Sequence, residues 1–200
     1  MRAAPRSAEQ DTGAFSRIAA PCGYFGACGG CAIQNLAYAD QLTLKRQRLE
    51  RAFAALGPGP SLTLVGLEDP WRYRNKAEFT FGELNGALTL GYHAARSFSR
   101  IVDLEDCLLL PAAATALARE VRRLAAETGL PAYHPRTHQG FFRYLLVRTS
   151  HASGRVLLCL MTTPGHRPAI ERIAAEMLTH PELASVYWGT TSRLADVAIP

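Results

Sequence analysis

The sequence predicts an α+β fold in which antiparallel hairpins pack with helices, and three observations carry that prediction. Ala77, Phe79 and Phe81 alternate with less apolar residues before Asn85-Gly86, and Leu88, Leu90 and Tyr92 alternate after it. Asn-Gly tolerates the positive φ that a two-residue hairpin turn requires. A second pair of apolar runs, 141–150 and 155–163, flanks Ala152-Ser153-Gly154. Between and around these runs lie three stretches with helical period, so hairpins and helices share one chain.

The elements follow in order. Residues 1–21 are polar and without period and are expected to form a mobile N-terminal arm. Residues 22–200 are expected to form one domain, beginning with the glycine- and aromatic-rich loop CGYFGACGGC. A helix is expected over 35–56, with Tyr38, Leu42, Leu49, Phe53 and Leu56 on one stripe and Gly57-Pro58-Gly59-Pro60 as its stop. A strand at 62–65 follows, then the first hairpin, then a short strand at 101–104 that runs toward Cys107. Residues 111–128 read as a helix through Leu117, Val121 and Leu124, with Gly129 as its C-terminal stop. Beyond the second hairpin come a helix at 168–180 and a strand at 183–188.

Composition narrows the function class. Two hundred residues with 48% hydrophobic content suffice for one sizeable core. A net charge of +5 favours an acidic partner, of which nucleic acid is the commonest. No apolar run reaches the roughly 18 residues a membrane helix needs. The longest, Leu108 to Ala118, is broken by Pro111. No apolar signal core precedes Cys22, so a cytoplasmic, reducing setting is expected, with a monomeric chain.

The cysteines carry the sharpest signal. Cys22, Cys28 and Cys31 lie within ten residues, and Cys107 stands far downstream. Gly29 and Gly30 allow a tight loop whose amides can point at sulfur. Such a 3+1 set reads first as an iron–sulfur site and second as structural zinc. Zinc favours two C-x-x-C knuckles, and only Cys28 and Cys31 have that spacing. A disulfide framework is disfavoured by the odd total of five cysteines. A closed four-ligand set argues for a structural or tuning role, not chemistry at an open iron. Cys159, inside the apolar run Val156 to Leu160, reads as a small buried hydrophobe and not as a nucleophile.

Basic and aromatic residues interleave at two places. Arg74 and Lys76 are two apart and so share one side of an extended strand, beside Tyr73 and Asn75. Arg96, Phe98 and Arg100 form a second group. Cations on a rigid sheet can hold phosphates while aromatic rings stack on unpaired bases. Arg143 and Arg148 are weaker candidates because parity puts them on opposite sides. The competing reading pairs these cations with Glu78, Glu83 and Glu105 as ordinary surface ion pairs. His93, His134, His138 and His151 lack ligand spacing.

The stretch CGYFGACGGCAIQNLAYADQLTLKRQRL resembles the signature of RNA (uracil-5-)-methyltransferases that carry a four-iron four-sulfur cluster. After C-x5-C-G-G-C the resemblance runs through Gln34, Tyr38, Gln41, Leu42 and Lys45, then WRYRNKAEFTFG, GYHAARSFSRIVDLEDC and GFFRYLLVRTS. It implies that Cys22, Cys28, Cys31 and Cys107 hold a 4Fe-4S cluster. It implies ribosomal or transfer RNA as partner and S-adenosylmethionine as methyl donor of the complete enzyme. It also implies an N-terminal oligonucleotide-binding barrel and a C-terminal Rossmann-like methyltransferase domain, neither of which is expected here. No G-x-G-x-x-G follows a strand. The chain is therefore expected to be the central RNA-recognition portion, inactive alone and without catalytic or methyl-donor-binding residues, a separate half supplying catalysis. The second reading is a free-standing metal-stabilised RNA-binding module.

Overall fold

The computed structural model of the chain describes residues 15–54, 57, 63–97 and 99–194. It divides into two compact units, Met1–Gly26 with Cys31–Pro70, and Ala27–Gly30 with Trp71–Pro200.

The first unit is built around one helix, α1 (Tyr38–Phe53). Within it Leu36 and Leu44 are buried, whereas Leu49 and Phe53, which the stripe assigns to the core, are exposed. The Tyr38 hydroxyl accepts a hydrogen bond from the Leu67 N–H at 2.9 Å, and the Leu42 side chain lies against Gly66. Arg17 bridges to Leu36, and the Ile18 N–H donates to the Asn35 carbonyl at 2.9 Å. The rest of the expected arm, residues 1–14, lies outside the described residues, as do 55–56 at the expected helix end and residue 62 at the expected strand start. Residues 63–65 form no strand.

The second unit carries a sheet of six strands, β1 (Lys76–Leu84), β2 (Ala87–His93), β3 (Ile101–Asp103), β4 (Phe142–Thr149), β5 (Val156–Thr162) and β6 (Leu183–Thr190), in the order β3-β2-β1-β4-β5-β6. Its helices are α2 (Ala112–Glu127) and α3 (Arg167–Met177). The turn between β1 and β2 is Asn85-Gly86, both at positive φ (52° and 78°), as the dipeptide demands. α2 ends at Thr128, and Gly129 follows at φ 69°.

The sheet is mixed, which corrects the expectation of antiparallel hairpins alone. β5 and β6 run parallel and are joined through α3. That connection is a β-α-β crossover, the unit from which doubly wound sheets are built. Strand and helix periods in the sequence identify its parts but not the direction in which β6 returns.

One face of the sheet is the core. Phe79, Phe81, Leu90, Leu145, Val147, Leu158 and Leu160 point to it and are buried. α2 covers it with Ala114, Leu117, Ala118, Val121, Leu124 and Ala125, and α3 adds Ile170, Ile173 and Met177. Each large aliphatic side chain so buried contributes about 2 kcal/mol. The other face carries Lys76, Glu78 and Thr80 on β1, opposite Arg148, Leu146 and Tyr144 on β4. Within the described residues of this unit, no helix lies on that second face.

Candidate functional site

Local backbone chemistry places two of the four cysteines at one end of the sheet. The segment Ala27–Gly30 runs beside the end of β2. Cys28 bridges to Ala94, the Gly29 N–H donates to the His93 carbonyl at 3.0 Å, and the Ala95 N–H donates to the Ala27 carbonyl at 2.8 Å. A Cβ on Gly29 would sit 2.9 Å from the His93 carbonyl oxygen, so only glycine permits this approach. The Gly30 N–H points at the Cys28 sulfur at 3.3 Å.

Cys107 is held by a separate frame. Arg72 grips Asp106 with two parallel hydrogen bonds of 2.8 and 2.7 Å and also donates to the carbonyls of Cys107 and Leu110. Asp106 Oδ1 further accepts the Cys107 N–H and the Thr115 hydroxyl, each at 2.9 Å. The Arg72 hydrogen bond, outweighing burial, holds the Asp106 carboxyl below the usual carboxylate range. Arg72 is correspondingly raised, first by its bond to Asp106.

Both cysteines lie within electrostatic reach of Tyr92. Burial first, then the neighbouring Cys107 and Cys28 thiols, push the Tyr92 hydroxyl upward, while the Arg74 guanidinium opposes them. Burial works against the Arg74 charge, and the hydroxyls of Tyr92 and Tyr73 outweigh it, so Arg74 is raised. Cys28, Cys107, Tyr92 and Arg74 therefore form one neighbourhood.

Cys22 and Cys31 belong to the first unit, where both engage the buried Gln34. The Cys22 N–H donates to Gln34 Oε1 at 2.9 Å, and Gln34 Nε2 donates to the Cys31 sulfur at 3.7 Å. None of the five cysteines is in a disulfide. Among the described residues, no group of three or more His, Cys, Asp or Glu side chains is gathered as a metal site. Burial raises the Cys159 thiol, which donates to the Met161 sulfur at 3.8 Å. Such a thiol is a poor nucleophile.

The expected RNA contacts are dispersed. Arg74 precedes β1, so strand parity does not reach it, and it turns to Tyr92 on the Phe79 side. Lys76 faces the other side and pairs with Glu78. Arg96 and Arg100 are exposed on the loop between β2 and β3, next to the Cys28 segment, and Phe98 lies outside the described residues. Glu105 pairs with Arg122 at 2.6 Å, and Asp103 with the same arginine at 2.5 Å.

A second feature escaped the sequence entirely. Phe142 pairs with Thr162 and Tyr144 with Met161, leaving Arg143 as an extra residue in a β-bulge. The bulge cancels the parity rule and aims Arg143 into a cleft of about 180 Å³ shared with Thr80, His93, Tyr133, His134 and Tyr144. Its guanidinium lies 4.0 Å from the Tyr133 ring centroid and donates to the Arg193 carbonyl at 2.7 Å.

No family model matches the chain. Its sequence is 33% identical over 181 residues to a protein of Listeria monocytogenes named as an uncharacterized RNA methyltransferase, covering 88% of this chain and 39% of that relative. A protein of Halalkalibacterium halodurans with the same kind of name is 34% identical over 78% of this chain and 36% of its own. The chain thus spans about two-fifths of the length of such relatives and is related there to RNA methyltransferases. In fold it is similar to Pyrococcus abyssi tRNA (uracil-54, C5)-methyltransferase, solved with S-adenosyl-L-homocysteine. The TM-score is 0.67 at 20% identity, over 86% of this chain and 38% of that one. This match corrects the expectation that the Rossmann-like methyltransferase fold has no counterpart here, in keeping with the parallel β5-α3-β6 crossover.

Proposed function

We propose that the chain is the RNA-gripping part of an S-adenosylmethionine-dependent RNA uracil-C5 methyltransferase acting on transfer or ribosomal RNA. The observation that carries this reading is the sequence relationship to RNA methyltransferases over most of the chain. The structural neighbour's uracil-C5 activity and its bound S-adenosyl-L-homocysteine support the finer assignment. The chain's own residues bind and orient RNA through Arg74, Lys76, Arg96, Phe98 and Arg100. Methyl transfer by the described residues alone is not expected, since Cys159 lacks an activated thiolate. The setting is reducing and cytoplasmic. Among the described residues no helix is long and apolar enough to cross a membrane.

We further propose Cys22, Cys28, Cys31 and Cys107 as ligands of a 4Fe-4S cluster, with zinc as the second choice. The donor chemistry fits. Each unit presents two cysteines outside any disulfide, and the Gly30 amide is aimed at a sulfur, a contact of the kind that tunes such clusters. When bound, the cluster supplies a structural clamp, its four thiolates leaving no iron open. Iron, acid-labile sulfide and zinc analysis of anaerobically purified protein tests the ligand set. About four irons and four sulfides per chain are expected. Wild-type metal content in Cys107→Ser would overturn it. Binding of transfer or ribosomal RNA by filter retention, with no methyl transfer by the chain alone, tests the RNA reading.

A further inference from the structure

We propose that the cleft beside Arg143 is a subsite for an unpaired nucleobase of the RNA, with Lys76 and Arg148 holding phosphate farther along the same sheet face. The inference rests on the RNA reading above and deepens it.

The face uncovered by α2 and α3 has a charged end and a cupped end. At the charged end, Lys76 and Arg148 are direct partners across the antiparallel β1–β4 pair, and both are exposed. Like charges directly opposite destabilise a sheet, and an anion between them reverses that penalty. Glu78 already pairs with Lys76 on this face, so a further anion would answer chiefly to Arg148. Four residues along β1, about 13 Å at strand rise, Thr80 opens the cleft.

The cupped end is suited to a flat, polar-edged ring. Tyr133 and Tyr144 are buried aromatic walls, and Arg143, 2% exposed, presents its guanidinium over the Tyr133 face. The volume, about 180 Å³, is enough for one base. His93 lines this cleft, and its Nδ1, screened from water, has no hydrogen-bond partner among the described residues. A buried polar atom left unbonded is destabilising, and a turn of the His93 ring toward a bound base would relieve that cost. His134 is exposed at the rim, where its Nδ1 already accepts from the N–H groups of Arg136 and Thr137 at 3.3 Å. A base entering the cleft meets the Arg143–Tyr133 stack and the Tyr144 ring, contacts that tolerate many sequences, whereas the His93 imidazole selects among base edges.

The wall is anchored. Gly140 sits at φ 110°, where a Cβ would lie 2.0 Å from the Ala132 carbonyl oxygen, and the Ala132 N–H donates to Glu83 Oε1 at 3.1 Å. The loop that carries Tyr133 and His134 is thereby fastened to β1, and the cleft exists before any ligand enters.

Two titrations of the full chain test the proposal. In the first, uridine, cytidine, adenosine and guanosine 5′-monophosphates and ribose 5-phosphate are added while the His93 and His134 ring resonances are followed. At least one nucleotide should shift both rings, and ribose 5-phosphate should shift neither. In the second, fluorescein-labelled oligouridylate and oligoadenylate are bound to wild type, His93→Ala, Ser99→Trp at the cleft mouth, and the double variant Lys76→Glu with Arg148→Glu. Each cleft variant should weaken the preferred oligonucleotide about tenfold, and the double variant should also flatten the salt dependence. Unchanged affinity in both cleft variants, with loss in the double variant, would overturn the base subsite and leave the RNA reading standing. Absence of oligonucleotide binding by wild type would overturn both. Far-UV circular dichroism of each variant separates lost binding from lost fold.

Discussion

Arg72 and Arg143 both sit in the sheet-bearing unit, and the contrast between them separates a cation gripped by a carboxylate and carbonyls from one held among aromatic rings. Arg72 is spent on its neighbours: a carboxylate held in bidentate fashion and two carbonyls, all around Cys107. Arg143 is far more buried, and its surroundings include the Arg193 carbonyl and the faces of Tyr133 and Tyr144. A guanidinium stacked on aromatic rings gains cation–π attraction that a carboxylate pair does not supply. The lesson is that burial alone does not mark a strut; the chemistry of the partners does.

Substitutions that break the contrast rank by expected effect. The largest is at the backbone that shapes the cleft: Gly140→Val forces a side chain into the Ala132 carbonyl and should destabilise the chain by more than 3 kcal/mol. Urea denaturation measures it, and a loss under 1 kcal/mol would mean the loop repositions freely. Next, Arg72→Met strips Asp106 of its partner, and a loss of about 2 kcal/mol is expected, limited by the partial exposure of the pair. Arg143→Met keeps most of the volume and should lose only about 1 kcal/mol. If the methionine at 143 proves the more damaging of the two, the distinction drawn between these arginines fails.

Smaller changes sharpen the same comparison. Arg148→Thr relieves the like-charge opposition with Lys76 and should raise stability by roughly 0.5 kcal/mol while weakening RNA. A parallel fall in both quantities would show Arg148 to be part of the scaffold. The smallest effect belongs to Glu120, whose carboxyl is held below its ordinary value by the Arg123 hydrogen bond, burial opposing. A depressed carboxylate contributes stability above its unfolded pKa and loses it as the pH falls through the folded one. Glu120→Gln should therefore reduce stability slightly at neutral pH and leave the most acidic end of an unfolding-versus-pH curve unchanged. A deficit that persists at the acid end would assign the effect to packing.

Most element positions were legible because local chemistry governs them. Asn85-Gly86 turns β1 into β2, Gly129 closes α2, and apolar runs mark β4 and β5 within a residue or two of their observed ends. Gly29 and Gly30 also behave as their position between cysteines suggests, one by close approach and one by aiming an amide at sulfur. The misreadings have a common source, the assumption that a periodic pattern continues unbroken. Arg74 falls before β1 begins, so its pairing with Lys76 on one side does not hold. Arg143 sits in a bulge, so the parity that separates it from Arg148 does not apply.

The sequence by itself determined most of the secondary structure and the turn chemistry, since each depends on residues close in the chain or on the kind of side chain present. Tertiary structure alone decided that β6 returns parallel to β5, that Asp106 locks Arg72 beside Cys107, and that a one-residue bulge opens the cleft at Arg143. Those outcomes depend on which distant backbone a strand meets and in what register. Hydrogen-bonding groups are the same on every strand, so pairing and direction are set by how the whole core closes.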